Sequence, residues 1–269
     1  MTLGELIARL KESDNVLSVA VIGSASEEKL NPASDYDLLI VLKEMPLSIT
    51  GGVTNLEGRL TDIIFTLLED VESLLKADNS EITISSVQGS ILRWITNARI
   101  EFDKLGHLRL LQKRVEEGFS TKLPSEGEVY SRLDKASYNL AHTKRMLASD
   151  DPDYQTAIDF RLLYQLADLM VDYFLVRSLP WQGEKHAIRY WRLQDPEYFD
   201  LFIKCINEKN RVRKVDYYFE LASATMAPVG ELWQSGETRF RLSPHSEMTR
   251  ENIRSAEKFW QSLLDTSHQ

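Results

Sequence analysis

Three short apolar runs near the start of the chain, Val16 to Ile22, Leu38 to Leu42 and Leu60 to Leu68, limit the fold more than any other feature. They are rich in Val, Ile and Leu, and they read as strands buried on both faces. Between the first two lies the segment Gly23 to Ser34, long enough for a tight turn and about two helical turns. Ahead of them, Met1 to Leu10 is apolar in helical rhythm. After them a helix is expected around Ile84 to Thr96, then a short strand at Arg99 to Phe102 and a turn at Gly106. The first half therefore reads as a mixed α/β domain spanning 1–110.

Beyond it the strand signal fades. Val129, Leu133, Ala136, Leu140 and Leu147 recur at helical spacing, as do Ile158, Leu162, Leu166, Leu169 and Phe174. Asp151-Pro152 and Asp195-Pro196 each place a capping carboxylate before a proline suited to the first helical position, so both are read as helix starts. Leu179-Pro180-Trp181-Gln182-Gly183 separates two helices, Pro228 and Gly230 end another, and Thr249 to Leu264 forms a last amphipathic one. Residues 111–269 are expected to be an all-α helical bundle, with Lys113 to Glu128 as a connection or bridging helix. A chain of 269 residues is long enough for two such domains.

Charge narrows the partners. The net charge is −9, and residues 1–110 carry 10 Lys/Arg against 17 Asp/Glu. A protein that grips a polyphosphate backbone without regard to sequence usually has the opposite sign, so stable nucleic-acid binding is not expected. The single cysteine, Cys205, allows neither an internal disulfide nor a cysteine-based zinc site, which fits a reducing cytoplasm. No apolar run approaches the roughly 18 to 20 residues that span a bilayer, so no membrane role is expected.

The chemistry concentrates in one stretch: Gly23-Ser24, ten intervening residues, then Asp35-Tyr36-Asp37 at the head of an apolar strand. Side chains alternate along a strand, so Asp35 and Asp37 point the same way. Two like charges converging on one spot make sense when a cation sits between them, and hard oxygen ligands suit magnesium. Asp62, inside the next strand, is flanked by Leu60 and Ile64 on its own face. An ionisable group in so apolar a run is costly without a partner, and Asp62 completes a triad if the two strands are neighbours. Gly23-Ser24 closes a strand and opens a helix, a geometry that presents backbone N–H groups and a hydroxyl to an anion such as a triphosphate.

This pattern resembles the DNA polymerase β nucleotidyltransferase superfamily. A short catalytic domain joined to a helical bundle is similar to the antibiotic (aminoglycoside and lincosamide) nucleotidyltransferases and to the minimal nucleotidyltransferases paired with HEPN-type helices. The motif match covers Val16 to Phe65. The resemblance implies an α/β nucleotidyltransferase fold, a mixed sheet with flanking helices, followed by the helical bundle. It implies transfer of a nucleoside monophosphate, AMP from ATP or another nucleoside triphosphate, onto a hydroxyl of a small molecule or a partner protein. Asp35 and Asp37 would bind two Mg2+ ions, and Asp62 would ligate the second or take the acceptor's proton. Gly23, Ser24 and Ser34 would bind the nucleotide. Many members carry Arg-Gly after Gly-Ser, whereas this chain has Glu27-Glu28, with Lys29 as a possible compensating cation. That departure motivates the alternative of a catalytically weak nucleotide-binding or antitoxin-like regulatory protein.

Arg239 and His245 have the Arg-x5-His spacing of HEPN ribonucleases, but Ser243-Pro244 interrupts a helix there. His142, His186 and the aromatic stretch from Tyr190 to Phe202 read as packing. Acceptor recognition is expected of the second domain, through Asp159, Asp168, Asp172 and Glu184 with Tyr164, Trp181 and Trp191, a set suited to cationic or sugar-like acceptors.

Overall fold

The computed structural model describes residues 1–26, 31, 33–45, 47, 49–78, 82–83, 86–234, 238, 240 and 249–265, the side chains of 24, 25, 250 and 265 excepted. The chain forms two compact units, Met1–Leu123 and Pro124–Gln269.

In the first unit, strands β1 (Val16–Ile22), β2 (Tyr36–Leu42), β3 (Gly51–Leu56), β4 (Arg59–Leu67) and β5 (Arg99–Asp103) form one sheet in the order β3-β4-β2-β1-β5. β2 and β4 run parallel while the other neighbours are antiparallel, which makes the sheet mixed. β1 is buried along its whole length, as its apolar run requires, and its one polar residue, Ser18, donates its hydroxyl to Asp103 Oδ1 at 2.7 Å. Helix α1 (Leu3–Glu12) starts on a reciprocal cap: Glu5 N–H donates to Thr2 Oγ1 at 3.1 Å and Thr2 N–H to Glu5 Oε2 at 2.8 Å. Its Leu3, Leu6, Ile7 and Leu10 pack against Val19, Val21, Leu38 and Ile40. Helices α2 (Leu68–Lys76), α3 (Val87–Ile95) and α4 (His107–Glu116) cover Ala20, Ile22, Leu39 and Val41, which alternation places on the opposite face.

Two features depart from the sequence reading. Strand β3 is absent from it because β3 is a sheet edge whose first five residues are exposed, so no apolar alternation marks it. The division at 110 falls inside α4, whose Leu108 and Leu111 join Phe119 in the first unit's core. From 117 to 125 the chain is not helical, so of the two readings of Lys113 to Glu128 the connection holds and the bridging helix does not.

The second unit is all helical among the described residues: α5 (Glu126–Leu147), α6 (Pro152–Val176), α7 (Glu184–Gln194), α8 (Pro196–Asn207), α9 (Arg211–Met226) and α10 (Arg250–Asp265). Both Asp-Pro starts operate as expected. Asp151 Oδ1 accepts from Asp153 N–H at 2.8 Å, and Asp195 Oδ1 from Tyr198 N–H at 3.2 Å. Ile158, Leu162, Phe174, Trp191, Tyr218 and Leu221 form the centre of the core. Within it, Gln165 pairs with Thr143 at 3.3 Å, satisfying two fully buried polar side chains. No helix among the described residues is long and apolar enough to cross a membrane.

Candidate active site

β2 and β4 lie side by side and parallel, with Asp37 opposite Asp62 in the register. Asp35 stands one residue before β2 and two before Asp37, so alternation turns it to the same face. One carboxylate oxygen from each of Asp35, Asp37 and Asp62 lies within 4.8 Å of the other two, and all three residues are half-buried. Like charges this close repel, and a divalent cation among them converts the repulsion into attraction. Three hard carboxylate oxygens form a donor set that fits magnesium or manganese.

Gly23 follows β1 in a single 3-10 turn, Gly23–Ser26, and has φ +66°. Its neighbour across the strand pair is the Asp37 carboxylate: a β-carbon at position 23 would sit 2.5 Å from Asp37 Oδ2. Glycine is thus favoured by the backbone angle, and any side chain here would displace the Asp37 carboxylate. The sequence motif contains this glycine but not this reason for it. Ser24 lies in the same turn, and its side chain is outside the described residues, as are Glu27, Glu28 and Lys29. Ser34 donates its N–H to Asn31 O at 2.9 Å, and its own carbonyl accepts from Arg59 Nη1 at 2.8 Å.

Sequence reasoning missed Arg59, Tyr36 and Glu57. β3 and β4 are joined by the two-residue turn Glu57-Gly58, with φ of +54° and +79°, a form that matches the right-handed twist of a hairpin. The turn brings Glu57 to Tyr36, whose hydroxyl donates to Glu57 Oε2 at 3.1 Å. The Glu-Gly pair is the one local signal for this hairpin, and it has force only once β3 is known to be a strand.

In the second unit, Asp159 accepts from Arg211 Nε at 3.1 Å and Nη2 at 2.7 Å, while Asp168 pairs with Lys135 at 2.8 Å. Asp172 is 2% exposed and faces Arg132 at 3.4 Å. Burial pushes its carboxyl up to about 6 against the pull of Arg132. Trp191 is a core residue, and Trp181 packs on Phe174. Of the residues expected to face an acceptor, Asp172 and Trp191 are interior, while Asp159 and Asp168 are ion-paired with Arg211 and Lys135. Helical periodicity does not separate these from solvent-facing positions because α6 is buried on a broad front.

His186 packs on Phe174 and Tyr190, and burial pushes its imidazole below the ordinary value. His142 lies 3.1 Å from Met146 Sδ and is pushed down by burial and then by Arg161 and Arg145. Both are packing residues, as expected. Arg239 and His245 lie outside the described residues.

Residues 3–106, which contain Gly23, Asp35, Asp37 and Asp62, match the family model described as a nucleotidyltransferase domain. No curated protein matches the chain. Among solved structures, a nucleotidyltransferase-like protein from Exiguobacterium sibiricum 255-15 is similar over 98% of this chain and 88% of its own, at 11% identity and a TM-score of 0.45. By that match, residues 3–106 of the chain resemble the nucleotidyltransferase domains of the DNA polymerase β-like superfamily.

Proposed function

We propose that the protein transfers a nucleoside monophosphate, AMP from ATP, to a hydroxyl of a small molecule or a protein, with Asp35, Asp37 and Asp62 holding Mg2+. The observation that carries this reading is the convergence of the three carboxylates at the Asp37–Asp62 register pair, in the segment that matches the nucleotidyltransferase domain family. Bound divalent ions supply charge neutralisation at the attacking and leaving oxygens of an in-line displacement. Asp35 and Asp37, on one face of one strand end, orient their oxygens to a common point. Asp62 enters from the neighbouring strand and either completes the ligand set or accepts the acceptor hydroxyl's proton. The Gly23–Ser26 turn lies beside Asp37, which is where a phosphate cradle serves this chemistry. Gly23, Ser24 and Ser34 are the nucleotide-binding residues of this reading.

Metal-dependent ATP binding, followed by transfer of labelled AMP to aminoglycosides, lincosamides or candidate proteins, tests the proposal. The expected result is ATP binding that requires a divalent ion and is lost in Asp37→Asn. A folded chain that binds neither Mg2+ nor ATP overturns it. ATP binding without transfer to any acceptor and without pyrophosphate release favours the nucleotide-binding regulatory alternative.

A further inference from the structure

Arg59 opens β4 three residues before Asp62, an odd separation that turns its side chain to the other face of the sheet. It therefore stands behind the carboxylate cluster. Its Nη1 donates to Asn31 O at 2.9 Å and to Ser34 O at 2.8 Å, and its guanidinium carbon lies 5.7 Å from the centroid of the Tyr36 ring. Asn31 and Ser34 are the two ends of one turn, closed by Ser34 N–H to Asn31 O at 2.9 Å and tightened by Ala33 N–H to Asn31 Oδ1 at 2.9 Å. Tyr36 is itself anchored, 7% exposed and bonded to Glu57.

One side chain thus binds the residue before Asp35 and covers the residue after it. Asp35 also stands just outside the β2–β4 ladder, whose pairing begins at Tyr36 and Thr61. Its direction depends on the turn that delivers it more than the directions of Asp37 and Asp62 do. Arginine suits the task because its planar group carries a permanent charge and several donors in a fixed array.

We propose that Arg59 is a positioning residue: through the Asn31 and Ser34 carbonyls it holds Asp35 against Asp37 and Asp62, so that the three carboxylates form one divalent-cation site. This rests on the metal-binding reading of the triad. Groups that orient metal ligands typically cost about 10- to 100-fold in metal affinity when removed.

The test is Mn2+ titration of the full chain without nucleotide, followed by electron paramagnetic resonance of free Mn2+. Arg59→Met keeps the aliphatic stem over Tyr36 and removes the donors. It should weaken Mn2+ binding by about 10-fold or more, and Arg59→Lys should recover part of the loss. In an Asp35→Asn background, Arg59→Met should add little, because the residue it acts through has already lost its charge. Wild-type Mn2+ affinity in folded Arg59→Met, or a full additive loss in the Asp35→Asn background, overturns the proposal. Arg59→Gln repeats the comparison if Arg59→Met does not fold, and loss of the fold in both marks Arg59 as structural and overturns the positioning role. A wild-type chain that binds no Mn2+ refutes the reading of the triad instead.

Discussion

Asp37 and Asp62 are direct register partners on adjacent parallel strands, which places two carboxylates side by side across a backbone spacing of about 4.8 Å. Nothing in the packing of a sheet calls for such a pair. Its cost in repulsion is offset when a cation is bound, and this sets the first expectation.

Asp37→Asn keeps the shape of the side chain and removes one of three converging charges. Metal-dependent transfer should fall by about 100-fold or more, while the metal-free chain should gain about 1 kcal/mol from relief of repulsion near the surface. Pyrophosphate release and urea denaturation in a chelator measure the two effects. Unchanged turnover would remove Asp37 from the site.

Gly23→Ala tests the second reason for that glycine. Its φ of +66° costs a side chain about 1 to 2 kcal/mol. The new β-carbon would lie 2.5 Å from Asp37 Oδ2, so the carboxylate, a mobile side-chain end, must swing aside. Mn2+ affinity should drop along with stability. A folded Gly23→Ala protein with wild-type Mn2+ affinity would show that Asp37 has room to stay in place.

Asp172 gives the second unit a pH-dependent stability. Its carboxyl is raised from an ordinary 3.8 to about 6 by burial. Between those values the folded chain holds a proton that the unfolded chain has released, so stability falls as pH rises through the window and is lowest above it. The rise corresponds to roughly 3 kcal/mol. Asp172→Asn should flatten stability between pH 4 and pH 6, measured by urea midpoints across that range. A wild-type slope in the variant would place the titration elsewhere.

Asp195 serves two groups at once: Oδ1 caps α8 at Tyr198 N–H, and Oδ2 accepts from the Tyr173 hydroxyl at 2.7 Å. Tyr173 is 3% exposed, so Asp195→Ala removes a cap and orphans a buried hydroxyl. A loss of about 2 to 4 kcal/mol is expected from the two together. Adding Tyr173→Phe should cost less than the two single changes summed, since one bond accounts for part of each. Strict additivity in chemical denaturation would refute the shared bond.

Both units were legible where each residue's local sequence already stated its environment. β1 is buried end to end, and six apolar residues out of its seven say so; the two Asp-Pro pairs carry their capping atom and their helical proline within two positions. Gly23, Asp35, Asp37 and Asp62 were legible for a related reason: a charge inside an apolar strand, or a glycine at a strand end, is unfavourable without a site to justify it.

Tertiary structure alone decided how these parts meet. The sequence by itself determined that Asp35 and Asp37 share a face, since two residues along one strand obey a fixed alternation, and that Asp62 needed a partner. It did not determine that β4 lies beside β2, parallel, with residue 62 opposite 37, because pairing is a choice among strands distant in the chain. β3 escaped notice because an exposed edge strand has no apolar face to display. Asp172 looked like a solvated residue because periodicity on one helix does not reveal that its neighbours bury it on several sides. Arg59 was invisible because its bonds are to main-chain carbonyls 25 and 28 residues away, and every residue type offers the same carbonyl.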